Sequence, residues 1–191
     1  MQKTVKTYSE EFKKTFLHKD LEPLGIEGET FGDLDFIEKG DDNLKIRAMA
    51  DYQYGKGAGD ALFSDARAEF ARTGRIRRIY SNNNILLATV RASDGFLIPT
   101  RDGAKRLQKL EYPRNRVIIE DEEVCEIVKE GKSVFAKFVK ECDPEIRPYQ
   151  EVIVVGKDDR LLASGKALLS GEEMLAFERG IAVKVRRSIK N

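Results

Sequence analysis

The chain has 191 residues, of which 41% are hydrophobic, enough for a buried core in one large domain or two small ones. A formal net charge of +1 excludes any whole-chain electrostatic signal for a polyanion. No signal peptide and no apolar run long enough to cross a bilayer is present, so a cytoplasmic protein is expected.

Charge is unevenly placed. Residues 1–60 carry 9 Lys/Arg against 13 Asp/Glu, residues 61–118 carry 12 against 5, and residues 119–191 carry 13 against 15. The middle is a basic island, with Arg72, Arg75, Arg77, Arg78, Arg91, Arg101, Lys105 and Arg106, and it favours an anionic partner.

In chain order, Tyr8, Phe12 and Phe16 fall on one face of a short helix that starts near Ser9. Gly25, Gly28, Gly32 and Gly40 mark loops and short strands, and Leu44-Lys-Ile-Arg-Ala48 alternates as a strand. Asp51-Tyr-Gln-Tyr-Gly-Lys-Gly-Ala-Gly-Asp60 leads into a helix whose Leu62, Ala66 and Phe70 face one way, ending at Gly74. Two strands follow, Arg75-Ile-Arg-Arg-Ile-Tyr80 and Ile85-Leu-Leu-Ala-Thr-Val-Arg91, with an Asn-rich turn at 81–84. After a turn at Ser93-Asp-Gly95 come the strand Phe96-Leu-Ile98 and a helix capped by Thr100. That helix has Ala104 and Leu107 inward and Arg101, Lys105, Arg106 and Lys109 outward.

Tyr112-Pro113 marks a boundary, because proline stops the helix and a new strand begins at Arg116. The next helix has acids in its first turn, Val124, Ile127 and Val128 on one face, and Gly131 at its end. Val134 to Val139 alternates as a half-buried strand. Ser170 and Glu173 form a capping box, and Gly180 stops the helix they open. The last strand places Ile181, Val183 and Val185 on a core face, with Ala182, Lys184 and Arg186 opposite. The expected fold class is α+β.

The chemistry-bearing residues form no catalytic set. His18 is the one histidine and sits in a polar segment, as a surface residue. Cys125 and Cys142 lack metal spacing; Cys125 reads as a buried small hydrophobe and Cys142 as part of a polar loop. Asp41-Asp42 and Asp158-Asp159 read as turn acids. Gly55-Lys-Gly-Ala-Gly59, which includes Lys56, precedes a helix as a phosphate cradle would. It lacks the Gly-Lys-Ser/Thr ending, and Asp60 would occupy the positive helix end. A tight structural turn is the favoured reading, with RNA phosphate second. Tyr80 and Phe96 read as core aromatics that could stack on bases. No enzyme, metal, cofactor or nucleotide is expected.

Two blocks carry a family resemblance. Lys132-Ser-Val-Phe-Ala-Lys-Phe-Val139, with Asp143-Pro-Glu-Ile-Arg-Pro148 and the run from Leu161 to Phe177, resembles the PUA domain at the C-terminus of archaeal tRNA-guanine transglycosylase and archaeosine synthase. The block from Asp51 to Phe63, with Thr73-Gly-Arg-Ile-Arg77 and Arg91-Ala-Ser-Asp-Gly-Phe96, is similar to the small domain preceding PUA in those proteins.

The resemblance implies a small α/β pre-PUA domain at 1–113 and a PUA pseudo-barrel of short strands and two small helices at 114–191. It implies RNA contacts at Gly131, Lys132, Phe135, Lys137, Gly165, Lys166, Lys184 and Arg186, with Gly131 and Gly165 allowing close backbone approach. Arg75, Arg77, Arg78 and Lys56 extend that surface from the basic island. The family's catalytic aspartates and its zinc site of three cysteines and a histidine have no counterpart here. The implied role is a non-catalytic tRNA-binding protein that holds the acceptor stem and 3′ end for a separate transglycosylase subunit. The alternatives are a protein-interaction subunit, for which the Tyr8, Phe12, Phe16 face is the candidate, and an independent PUA protein acting on other RNA.

Overall fold

The computed structural model describes residues 42–111 and 114–190. Helix α1 (Asp42–Tyr54) buries Ile46, Ala50 and Tyr54, a four-residue repeat that defines one helical face. The strand expected at 44–48 is therefore helix. Five alternating residues also satisfy a helix, and the longer repeat through Tyr54 decides the matter. A turn through Gly55 and Gly57, both at positive φ, leads into α2 (Ala58–Phe63). There a Cβ on Gly59 would stand 2.5 Å from the Arg47 carbonyl, so glycine is what lets the two helices touch.

The expected helix to Gly74 stops at Phe63. Ala66 and Phe70 lie in β1 (Ala66–Phe70), since a spacing of four fits a strand's two-residue period as well as a helix. Gly74 serves instead in the turn to β2 (Ile76–Ser81), where its N–H donates to the Ala71 carbonyl. β3 (Leu86–Val90) and β4 (Leu97–Pro99) complete an antiparallel sheet in the order β1-β2-β3-β4. The turns at 81–84 and 93–95 hold, with Asn84 and Gly95 at positive φ. Helix α3 (Arg101–Leu107) begins at Thr100, whose hydroxyl oxygen accepts from the Gly103 N–H. Arg106 does not point freely outward: it lies over Asp65 and donates to the Leu62 carbonyl at 2.8 Å.

The second half contributes β5 (Arg116–Ile119), α4 (Glu122–Lys129), β6 (Val134–Phe135), a 3₁₀ turn (Ala136–Phe138) and β7 (Glu141–Cys142). It continues with β8 (Glu151–Gly156), β9 (Leu161–Ala167), α5 (Gly171–Ala176) and β10 (Ile181–Ser188). The sheet order is β6-β10-β9-β8-β5-β7, with β5 and β8 parallel and the other pairs antiparallel.

Every residue of β5 and β8 is buried because both faces are covered. Val117, Ile119, Val152 and Val154 enter a core with α4, β9, α5 and β10. Ile118, Ile153 and Val155 turn the other way and pack with α1, α2, α3 and the first sheet. The two halves of residues 42–190 thus share one apolar seam.

Several expectations change here. The run Val134–Val139 is two strand residues and a 3₁₀ turn, so Phe135 is exposed while Val134 and Ala136 are buried. Cys142 is not in a loop but in β7, buried under Gly171. Ile127 is exposed, and Cys125 takes its place on the core face of α4. α5 keeps its Ser170–Glu173 capping box but ends before Gly180, whose positive φ instead opens β10. Register shifts in β10 bury Ala182 beside Val183 and leave Ile181 exposed. The expectations at Tyr8, Ser9, Phe12, Phe16, His18, Gly25, Gly28, Gly32, Gly40, Asp41 and Tyr112-Pro113 lie outside the described residues. Among the described residues, no helix is long and apolar enough to cross a membrane.

Candidate nucleic-acid interface

The sharp end of α4 builds one part of the candidate surface. Gly131, at φ +93°, donates to the Val128 carbonyl and reverses the chain, leaving Lys132 exposed. Phe135 stands 46% exposed and pairs across the sheet with Ile181. Lys137 sits over the Phe138 ring, its Nζ 4.7 Å from the centroid.

Strands β9 and β10 supply the next part. Lys166 and Lys184 are directly opposite each other. Like charges in that arrangement repel, and a bridging anion relieves the repulsion. Lys166 lies 5.0 Å from the Tyr149 ring centroid, half-buried, while Lys184 is exposed with no ion partner among the described residues.

Gly165 and Arg186 stand differently from the sequence expectation. Gly165 is buried, and a Cβ there would meet the Lys184 carbonyl at 2.5 Å. The close approach that this glycine permits is that of β10, not of RNA. Arg186 places its Nε 3.2 Å from Glu151, so its charge is largely answered within the protein.

The four-stranded sheet carries the other cations. Arg75 and Arg77 are exposed, with no ion partner among the described residues. Arg78 pairs with Glu69 at 3.2 Å. The Lys56 side chain is exposed, but its carbonyl accepts from Arg114 at 2.9 Å, so the glycine turn is clamped shut as a structural turn. Two aromatics of this region are engaged as well: Arg67 lies 5.5 Å from the Tyr80 ring and Arg91 lies 5.8 Å from that of Phe96.

A buried cluster connects these surfaces, and the sequence reading missed it. Glu151 is 1% exposed and accepts from Arg91 at 2.6 Å, while Arg186 stands on the same oxygen. Burial pushes its carboxyl pKa upward, against the pull of Arg186 and Arg91. Burial and the nearby Glu151 charge likewise raise the Tyr54 phenol, whose O–H donates to the Leu97 carbonyl. One signal was available: Glu151 opens the run Glu-Val-Ile-Val-Val, and a carboxylate in a fully buried strand requires cationic partners. A second missed contact is Arg116, 2% exposed, which pairs with Asp159 at 2.8 Å and donates to the Leu110 and Arg114 carbonyls.

Among the described residues, no group of three or more His, Cys, Asp or Glu side chains is placed to hold a metal ion. Both cysteines are free and buried, and burial raises the Cys142 thiol to about 11.

Two stretches of the chain match known families. Residues 44–113 match the family described as the patch-forming domain C2 of tRNA-guanine transglycosylase, and residues 115–189 match the PUA domain. The chain joins a transglycosylase C2 domain to a PUA domain. It matches the C-terminal part of archaeal tRNA-guanine transglycosylase. The tRNA-guanine(15) transglycosylase of Pyrococcus abyssi is 54% identical over 145 residues, covering 75% of this chain and 24% of the relative. That of Methanococcus maripaludis strain C6 is 39% identical over 198 residues, covering 97% of this chain and 30% of the relative. The chain thus spans about a quarter of the length of the curated relatives it matches.

Among solved structures, a hypothetical protein of Pyrococcus horikoshii aligns with a TM-score of 0.62 at 24% identity, over 78% of this chain and 91% of its own, a likeness of fold alone. In these terms Arg91 belongs to the C2 domain and Glu151 and Arg186 to the PUA domain, so the buried cluster is an interdomain joint. The Lys132, Phe135, Lys166 and Lys184 surface is the PUA domain's, and Arg75 and Arg77 are the C2 domain's.

Proposed function

We propose that this chain binds tRNA and positions it for a base-modifying active site of the tRNA-guanine transglycosylase type that the chain does not itself supply. One observation carries the reading: a C2 domain and a PUA domain stand in series, 54% identical over 145 residues to an enzyme named tRNA-guanine(15) transglycosylase. PUA domains bind RNA, and the exposed cations here supply the required charge.

In this reading the PUA domain holds the acceptor stem and 3′ end through Lys132, Phe135, Lys137, Lys166 and Lys184, around the Gly131 turn. The C2 domain adds Arg75 and Arg77, with Lys56 at the glycine turn, while Arg78, paired with Glu69, contributes only field. Lysines and arginines in such places neutralise phosphates and set register without reading sequence. Arg186 contributes field, since Glu151 holds its guanidinium. The partner is a catalytic transglycosylase polypeptide, and the complex works in the cytoplasm.

The test is a tRNA titration at several salt concentrations with the wild type and a variant combining Lys132→Gln, Lys137→Gln, Lys166→Gln and Lys184→Gln. The salt dependence is expected to flatten by about one unit for each phosphate that the variant no longer neutralises. Unchanged affinity and slope overturn the site assignment. Guanine exchange into tRNA by the purified chain alone overturns the non-catalytic role.

A further inference from the structure

A groove of about 860 Å³ lies on the C2 domain between the β1–β2 turn and the β3–β4 turn. Its floor is apolar: Met49, Ile76 and Val90 are partly buried and packed on the core beneath. Phe70 stands at one wall, 41% exposed, where the register of β1 on β2 shifts between Glu69 and Phe70. Such irregularities re-aim a side chain, and here a large aromatic is left facing solvent rather than the core.

The rim is cationic, with Arg75 and Arg77 lining it. The one rim acid among the described residues is engaged: Asp94 accepts from Arg91 at 2.9 Å and from the Phe96 N–H at 3.0 Å. Both turns are closed by their own backbone hydrogen bonds, Gly74 to Ala71 and Gly95 to Arg91, so the walls are preformed.

We propose that this groove takes one unpaired nucleotide of the bound RNA, its base on the Phe70 side and its phosphate against Arg75 and Arg77. This rests on the tRNA-binding reading above and names the part of the RNA that the C2 domain recognises. Duplex RNA offers phosphates and 2′-hydroxyls over a wide, shallow surface and leaves a concave apolar floor unfilled. An unstacked base has the π-face that an exposed phenylalanine accepts, and its phosphate carries the negative charge answered by two arginines that have no ion partner among the described residues. Charge complementarity and shape together therefore select a looped-out or single-stranded nucleotide.

The experiment measures binding of the full chain to tRNA and to a blunt RNA duplex with no unpaired base, for the wild type, Phe70→Ala, Phe70→Leu and Phe70→Tyr. Phe70→Ala is expected to weaken tRNA binding about 10-fold, the size of one base–aromatic stack. The salt slope stays unchanged because no charge is removed. Duplex binding is expected to be unaffected.

Phe70→Leu keeps apolar bulk without a π-face and is expected to behave like Phe70→Ala, whereas Phe70→Tyr restores binding. Equal circular dichroism and melting midpoints across the variants separate stacking from folding. If all variants bind tRNA like the wild type, or lose tRNA and duplex equally, the groove assignment is overturned while tRNA binding stands. If the wild type binds neither RNA, the tRNA-binding reading falls with it.

Discussion

Glu151 of the PUA domain accepts a hydrogen bond from Arg91 of the C2 domain at 2.6 Å, with its side chain 1% exposed. Arg186 shares the same oxygen at 3.2 Å. A buried carboxylate held by two guanidiniums is costly to leave half-made. Glu151→Ala strands Arg91 and Arg186 side by side and is expected to destabilise the chain by about 3 kcal/mol in urea unfolding. Glu151→Gln keeps an acceptor and costs less. A loss under about 0.5 kcal/mol for Glu151→Ala would show that the joint carries no interdomain stability.

Gly165 gives a steric prediction. A Cβ there meets the Lys184 carbonyl at 2.5 Å and the Val185 Cα at 2.9 Å, both backbone atoms that cannot swing aside. Gly165→Ala is expected to cost about 2–3 kcal/mol of unfolding free energy by forcing β9 and β10 apart. Gly74→Ala meets nothing in space and serves as the control, costing only the strain that an alanine takes on at a φ of +74°.

Asp65 makes acid stability measurable. Its hydrogen bond from Arg106 holds the carboxyl below the ordinary 3.8. A depressed folded pKa means that the unfolded chain binds the proton more tightly. The contribution is therefore present above the unfolded pKa and lost as pH falls through the folded one. Arg106→Gln is expected to be less stable than the wild type at neutral pH, with the gap closing below about pH 4. Asp65 is 42% exposed, so solvent screening keeps that ion-pair gap near or under about 1 kcal/mol. A gap that widens on acidification reverses the argument.

Glu126 supplies a direct titration. Hydrogen bonds from Lys129 and Lys190 lower its carboxyl from 4.5 to about 2. NMR titration of the carboxyl carbons is expected to find Glu126 protonating only near pH 2. Lys129→Met combined with Lys190→Met is expected to return it to the ordinary range.

The cysteines should be chemically silent. Burial is the largest cause of the raised Cys125 and Cys142 pKa values, with Cys142 at about 11, and only the thiolate reacts readily. Labelling by a thiol-reactive dye at pH 8 is expected to be slow in the native chain and complete in denaturant. Rapid labelling of one thiol in the native chain contradicts that burial.

Legibility in the sequence tracked the range of the deciding interaction. The Thr100 cap, the Ser170–Glu173 capping box and the turns at Asn84 and Gly95 depend on residues within a few positions of each other, and all are legible from the residues alone. Residues 44–48 alternate over too few positions to exclude a helix, whereas at Ala66 and Phe70 a spacing of four fits a helix or a strand. Only strand pairing, Ala66 with Ser81 onward, breaks that tie. Ile181 was misplaced because register shifts in β10 break the strict alternation that a strand reading assumes.

By itself the sequence determined that the chain is α+β, that Lys132-Ser-Val-Phe-Ala-Lys and its neighbours form a PUA domain, and that residues 61–118 are basic. Those properties live in local pattern and composition. Tertiary structure alone decided which cations are available: Arg186 is held by Glu151, Arg78 by Glu69 and Arg106 by Asp65, while Arg75, Arg77 and Lys184 have no ion partner among the described residues. A charge is answered or spare according to what the fold brings within a few ångströms of it, and the partner Glu151 of Arg91 is 60 residues away along the chain.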